Sequence, residues 1–329
     1  MKSMRTWARR SFMISVYALL FAVLTVLAPL LALVAVVHGL LRGNRQATLR
    51  IACAVWLFFL AELAGVMGAA LIWLRSWFRR ADRRERFLAD NYRLQQWWAG
   101  FLLRGLFGLL DLRLEVEGDD HAHPGPLVVL INHASVIDTL LPVDLVCRRH
   151  GMRLRYVLKK ELLIDPCLDI VGNRLPNYFV DRAGVTESEV VGIVAMASDL
   201  GPCDGVLIYP EGTRFSPGKR MRALASLAER NPELHERAAR LEHVLPPRPA
   251  GTLALLDAAR RASNIDIVVC AHAGMEGFAS AREMLSGALI GKTVRVTFWR
   301  VPAAEIPATR DDQIAWLYEQ WARIDRLAS

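Results

Sequence analysis

The stretch Asn132-His133-Ala134-Ser135-Val136-Ile137-Asp138 contains the pair of residues in this chain best suited to moving a proton. An imidazole held by a carboxylate is a general base, able to take a proton from a hydroxyl and return it later. On one continuous helix His133 and Asp138 would point about 140° apart. They can meet only if His133 sits in a strand-to-helix turn and the helix starts near Ser135. Ser135 is a good N-cap, and Pro142 is tolerated early in a helix. Asp138 then reaches back to one imidazole nitrogen while the other faces a cleft. The same spacing has a plainer use. Ser135-x-x-Asp138 is also capping-box-like, so Asp138 can serve only as a helix cap, with His133 an ordinary surface histidine.

Two further turns add polar groups. Val206-Leu207-Ile208 is followed by Tyr209-Pro210-Glu211-Gly212-Thr213-Arg214, a turn with a glycine, a carboxylate and an arginine. Gly212 permits close backbone approach, and Arg214 offers a rigid fork for phosphate oxygens. Asn177-Tyr178-Phe179-Val180-Asp181-Arg182 supplies a second arginine after a short β-prone run. One such turn alone is an ordinary solvated loop; three in one domain, at the carboxyl ends of strands where open α/β sheets gather their sites, point to a functional cluster.

The elements that must position these turns follow from periodicity. Leu112–Val116, Leu127–Ile131, Leu154–Leu158, Val206–Ile208, Ile265–Cys270 and Val294–Trp299 read as strands. Thr139–Arg149, Thr186–Leu200, Met221–Leu227, Leu234–Leu241, Leu253–Ala262 and Asp311–Leu327 read as helices. The alternation predicts an α/β sheet layered with helices over residues 111–329.

Residues 1–110 are different. Ser11 to Leu41 is almost uncharged, with Pro29 inside, and Ile51 to Leu74 is a second apolar stretch. Roughly 20 such residues cross a bilayer core, so a transmembrane helical hairpin is expected. Basic residues favour the outer flanks (Lys2, Arg5, Arg9 and Arg10; Arg75, Arg79, Arg80, Arg83, Arg84 and Arg86) over the link (Arg42, Arg45 and Arg50). By the positive-inside rule both ends lie in the cytoplasm, giving a multi-pass protein of the inner membrane with its catalytic domain facing the cytoplasm. Glu62 interrupts the second stretch; protonation, pairing against the first helix, or a segment that lies shallow or re-enters would each accommodate it. Phe87 to Leu110, with Trp97 and Trp98, fits an interfacial helix or an amphipathic helix packed on the catalytic domain.

The chain has 329 residues, 53% apolar, with a formal charge of +8. Its basic residues flank apolar stretches and form no long basic arm, which favours lipid headgroups and phosphate-bearing substrates over nucleic acid. Cys53, Cys147, Cys167, Cys203 and Cys270 are scattered, with neither a disulfide framework nor a zinc spacing, and His121, His123 and His133 form no metal-ligand pattern.

Asn-His-Ala-Ser-Val-Ile-Asp resembles the N-H-x-x-x-x-D signature of the glycerolipid acyltransferases, the group that includes 1-acylglycerol-3-phosphate acyltransferases. Phe179–Arg182 and Tyr209–Arg214 resemble its second and third motifs, in the expected order, and the likeness covers roughly Leu112 to Trp299. The fourth region departs from the bacterial Val-Pro pattern. Leu245-Pro246-Pro247-Arg248-Pro249-Ala250-Gly251 is similar instead to the L-x-P-R-x-x-G of the branch containing lysocardiolipin acyltransferases and some animal lysophosphatidate acyltransferases, which leaves the acceptor headgroup open. The resemblance implies that His133 and Asp138 are catalytic. It implies that Arg182, Glu211, Gly212, Thr213 and Arg214 bind substrate, with Arg182 and Arg214 on the acceptor phosphate, Glu211 on the acceptor or an arginine, and Lys160 a further candidate for phosphate. It implies acyl-CoA or acyl carrier protein as thioester donor, no cofactor, and membrane lysophospholipid as acceptor. Other readings are a hydrolase using water as acceptor, without a G-x-S-x-G turn in support, and a silent lipid-binding protein.

Overall fold

Leu127–Ile131 (β2) and Asp204–Ile208 (β5) are buried along their whole length, as continuous apolar runs flanked by parallel neighbours should be. In the computed structural model, which describes residues 2–43, 46–78, 83–135, 137–181, 186–275 and 281–328, they lie inside a seven-stranded sheet. The other strands are Arg113–Glu117 (β1), Arg153–Lys159 (β3), Tyr178–Val180 (β4), Asp266–Ala273 (β6) and Thr293–Val301 (β7), in the order β1-β7-β6-β2-β5-β3-β4. β6, β2, β5 and β3 run parallel, each to its neighbour; β7 is antiparallel to β6 and parallel to β1. The turns after β2 and β5 and the end of β6 therefore emerge side by side at the carboxyl edge of three adjacent strands.

The chain divides into two compact units. One comprises Arg113–Leu158, Tyr178–Ala281 and Lys292–Ser329, and holds the sheet. Its core packs Val128, Leu130, Val206 and Ile267 against Leu255 and Leu256 of helix Pro249–Ala262 (α8) and Leu317 and Trp321 of helix Arg310–Ala328 (α10). Each expected strand is present, as are helices Glu187–Ala195 (α5), Pro217–Arg230 (α6) and Pro232–Ala239 (α7). The helix expected over Thr139–Arg149 is present but changes type along its length: a 3-10 turn, Ile137–Leu140, leads through Leu141 and Pro142 into a π-helical segment, Val143–Arg148. Pro142 stands between them, with no N–H to offer the carbonyl four residues back.

The other unit comprises Met1–Leu112, Lys159–Asn177 and Arg282–Gly291, so two later segments join the N-terminal helices. Helices Lys2–Arg42 (α1) and Ala47–Trp77 (α2) run antiparallel. Tyr17 lies against Phe58 and Phe59, Trp56 donates to Thr25 Oγ1 at 2.9 Å, and His38 meets Thr48 at 2.7 Å. Both are long and apolar enough to cross a membrane, and only 6% and 22% of their apolar windows is buried, so they could form a transmembrane hairpin. Arg45, Arg79 and Arg80, used in the orientation argument, lie outside the described residues.

Glu62 is buried in α2, but its partner is not the first helix. Oε2 accepts from the backbone N–H of Cys167 at 3.1 Å, at the start of a short helix, Pro166–Gly172 (α4), that sequence periodicity did not reveal. A Cβ on Gly65 would collide with Cys167 Sγ, so a glycine is what lets α4 approach α2 so closely. Asp169 of α4 in turn receives Arg9 at 2.7 Å and Arg10 at 3.1 Å from α1. Helix Arg83–Leu110 (α3) contributes Tyr92 and Leu94 to the same apolar cluster as Ala69, Cys167 and Val171, while Trp97 is exposed and stacked on Phe101. Helix Ala281–Ser286 (α9) was likewise not foreseen.

Candidate active site

β2 ends at Ile131, and His133 follows in an extended turn gripped at both backbone groups. Its N–H donates to Glu211 Oε1 at 3.1 Å, and its carbonyl accepts from Phe215 N at 2.7 Å. Glu211 and Phe215 both belong to the turn after β5, so the neighbouring strand's loop sets the position of the histidine. The side chain is fixed from the other side: Nδ1 lies 3.0 Å from Asp138 Oδ1 and 3.1 Å from Oδ2. A carboxylate only accepts, so Nδ1 carries the proton and Nε2 is the basic nitrogen. Asp138 is fully buried, while the His133 side chain keeps 16% of its surface exposed, enough for a substrate to reach Nε2. The Tyr209 ring lies 4.6 Å from the imidazole and walls its other face.

The capping and the catalytic uses of Asp138 coexist. Its Oδ2 accepts from Ala134 N and Ser135 N, both at 2.8 Å, while Ser135 Oγ accepts from Ile137 N at 3.0 Å and Asp138 N at 3.2 Å. One carboxylate thus holds the turn and the imidazole together. Burial alone would raise the Asp138 pKa, but hydrogen bonds from His133 and His272 and the attraction of both rings outweigh it, leaving the carboxyl at about 2.

Glu211 needs a correction. Among the described residues it meets neither an arginine nor an open surface: it is buried, with Oε1 on His133 N and Oε2 accepting from Leu245 N at 3.2 Å. It braces the site through two main-chain N–H groups. Burial pushes its carboxyl up to about 8; the two N–H bonds pull it down and the charge of Asp138 pushes it up again. Gly212 adopts a positive φ of 65°, the reason for a glycine there, and its open face is covered by Arg248, whose Cδ would lie 3.4 Å from an added Cβ. Thr213 Oγ1 accepts from Lys219 Nζ at 3.2 Å, and the same ammonium bonds the Arg214 carbonyl at 2.9 Å. Burial, then the nearby Arg214 and Arg222, lower the Lys219 pKa. Arg214 is exposed beside this cluster. Arg182 lies outside the described residues, and Lys160 is exposed in the other unit, at the head of the 3-10 turn Lys160–Ile164.

Residues 113–230 match the family model described as Acyltransferase. That stretch, about a third of the chain, is similar to the acyltransferase family. The fold agrees: the crystal structure of the 1-acyl-sn-glycerophosphate (LPA) acyltransferase PlsC from Thermotoga maritima superposes with a TM-score of 0.56 at 17% identity, covering 84% of this chain and 95% of that one. The fold expected from the motif resemblance is therefore the one the chain adopts, and the stretch that carries the motifs is similar to the acyltransferases.

All three motif turns lie inside the matched stretch. Two neighbours of the site lie beyond it and were not singled out in the sequence. His272, fully buried near the end of β6, exchanges hydrogen bonds with Asn132 and approaches Asp138. Arg248 precedes α8, its N–H on the Pro210 carbonyl at 2.8 Å. The signal for His272 was its place at the carboxyl end of a strand adjacent to β2, which needs the strand order to be read. Arg248 was visible as the arginine of Leu245–Gly251, but its seat over Gly212 was not.

Proposed function

We propose that this acyltransferase moves a fatty acyl group from acyl-CoA or acyl carrier protein to the sn-2 hydroxyl of 1-acylglycerol-3-phosphate, giving phosphatidic acid. The observation that carries the reading is the His133 imidazole, partly exposed, with Nδ1 bound to a buried carboxylate, next to a turn that carries the exposed Arg214. Nε2 takes the hydroxyl proton as the oxygen attacks the thioester carbonyl carbon. The tetrahedral intermediate then collapses, the C–S bond breaks, and the imidazolium returns the proton to the departing thiolate. Asp138 stabilises the imidazolium and keeps the ring in one tautomer. No acyl-enzyme is required, and a well-placed base of this kind contributes about 10² to 10⁴ in rate.

Arg214 and, by motif, Arg182 grip the acceptor phosphate, with Gly212 and Thr213 shaping the turn; Lys160 is a further candidate for phosphate. The α1–α2 hairpin anchors the enzyme in the inner membrane with the catalytic unit on the cytoplasmic side, where its lipid acceptor and thioester donor meet.

A second reading has its own support. Arg248 places another guanidinium over the Gly212 turn, which suits an acceptor with more anionic charge or a larger headgroup, such as lysophosphatidylglycerol or lysocardiolipin. Product mass spectrometry of the purified enzyme, offered mixed lysolipids with both donors, separates the two. Replacing His133 with Ala should cut transfer at least a hundredfold; wild-type activity in a well-expressed variant refutes the mechanism. Release of free fatty acid without lysolipid would make the enzyme a hydrolase instead.

A further inference from the structure

Asp138 serves two imidazoles, and the second is the less expected. His272 has a side chain that is 0% exposed and an Nε2 2.9 Å from the Asn132 carbonyl and 3.5 Å from Asp138 Oδ2. Its main chain is locked to the same asparagine: His272 N donates to Asn132 Oδ1 and Asn132 Nδ2 donates to the His272 carbonyl, both at 3.0 Å. A carbonyl oxygen only accepts, so Nε2 carries the proton. Nδ1 is then a bare lone pair, buried, with no hydrogen-bond partner among the described residues. An apolar residue at this point of a central strand would incur no such penalty, since a buried polar atom left unmatched costs stability. Tyr209, packed on His133, has a buried hydroxyl in the same condition. Unmatched polar atoms therefore gather around one carboxylate, as they do where packing is subordinate to chemistry.

We infer that His272 is a positioning residue for acyl transfer, a fixed Nε2–H donor shared between the Asn132 carbonyl and the Asp138 carboxylate that keeps Asp138 aligned on His133. The two histidines divide the labour by access. His133 presents 16% of its side chain and a free Nε2, whereas the Nε2 of His272 is engaged and sealed. The ring of His272 thus holds its carboxylate without competing for the substrate's proton. Asn132 links the end of β2 to β6, so the base, its carboxylate and the strand pair behind them move as one piece. The inference rests on His133 acting as the base.

The test uses full-length enzyme in detergent micelles, with 1-acylglycerol-3-phosphate and acyl-CoA as probes. His272→Leu should lower kcat roughly tenfold, about the worth of one hydrogen bond, leave the acceptor KM within about twofold, and displace the downfield proton resonance of the His133–Asp138 hydrogen bond. His272→Gln, which sets an amide N–H near the position of Nε2, should restore both. Nitrogen-15 histidine spectra of the wild type should show His272 as the Nε2–H tautomer. An unshifted resonance and unchanged kcat in the leucine variant would overturn the inference, as would a glutamine variant as impaired as leucine. An Nδ1–H tautomer would do the same, and that measurement stands even if the leucine variant does not fold. Failure of the wild type to acylate any lysolipid with any donor would instead refute the acyl-transfer reading, while the spectra still judge the alignment.

Discussion

Replacing Glu211 by glutamine separates its two effects, because they respond differently to pH. In the folded enzyme the carboxyl is raised from an ordinary 4.5 to about 8, burial being the first cause. Between those values the unfolded chain has released the proton while the folded one keeps it. The native state then binds more protons than the unfolded state, so stability must fall as pH rises through the window and level off above about 8. A rise of that size corresponds to roughly 4 to 5 kcal/mol, an order-of-magnitude figure. Glutamine has no such dependence. It has its own penalty: two backbone N–H groups, of His133 and Leu245, point at the two carboxylate oxygens, and an amide offers only one acceptor. One buried donor is left facing an NH₂ group, costing about 1 to 3 kcal/mol.

The wild type should therefore be the more stable protein at pH 5 and the variant at pH 9, with the curves crossing between. For a folding unit of this size, about 1 kcal/mol moves Tm by roughly 2 to 4 °C, so the difference in Tm should swing by on the order of 10 °C across that range. Thermal melts in detergent followed by tryptophan fluorescence measure it, and every other titrating group cancels in the difference. Acyl transfer should meanwhile fall about tenfold or more at both pH values, because the His133 turn has lost part of its clamp. A Tm difference that stays flat with pH would refute the protonated, buried carboxyl, and an unimpaired kcat would refute the clamp.

Asp138 gives the opposite sign. Its pKa is depressed from 3.8 to about 2, so it contributes stability that is present above about 3.8 and is lost as pH falls through about 2; the contribution is roughly 2 kcal/mol. Asp138→Asn should abolish that acid-limb loss in a circular-dichroism titration and lower kcat by about 10² or more. Arg214→Ala should raise the acceptor KM for every phosphate-bearing lysolipid with a smaller effect on kcat, as steady-state kinetics will show. Arg248→Ala should act selectively, raising KM for lysocardiolipin or lysophosphatidylglycerol more than for 1-acylglycerol-3-phosphate; equal effects would remove the basis for the second reading. Asp169→Ala leaves Arg10, whose side chain is only 15% exposed, without its carboxylate. A loss of about 2 to 4 kcal/mol is expected, with little from the half-exposed Arg9, and limited proteolysis of the 159–177 segment in membranes should report it.

What was legible in the sequence was short-range. His133 and Asp138 are five residues apart, so their meeting depends on one turn, and the choice between helix and turn could be settled from Ser135 and the apolar run before it. The buried strands announced themselves as continuous Val, Leu and Ile. Elements whose reason for existing lies elsewhere in the chain were not legible. α4 is a seven-residue helix capped by Asp165, and what makes it matter is the Asp169 carboxylate taken by Arg9 and Arg10, about 160 residues earlier, and the Cys167 N–H taken by Glu62. The change of helix type around Pro142 was readable in principle: a proline inside a helix takes away one main-chain N–H, and the hydrogen-bond spacing shifts there.

The same distinction governs the site. Motif residues were identified by type, and the motif resemblance implied that Glu211 would hold the acceptor or an arginine. Glu211 instead spends both oxygens on main-chain N–H groups 78 and 34 residues away, in segments whose side chains carry no trace of the contact. His272 bonds to an asparagine 140 residues distant through atoms that are largely backbone. Hydrogen bonds to main chain leave no signature in residue type at the far end, whereas a base and its carboxylate must both be particular side chains. A motif of this kind therefore shows the reacting groups and hides their supports. In this chain the supports converge from β5 and β6 on the turn after β2, so the alignment of one imidazole depends on three strands brought together only by the sheet.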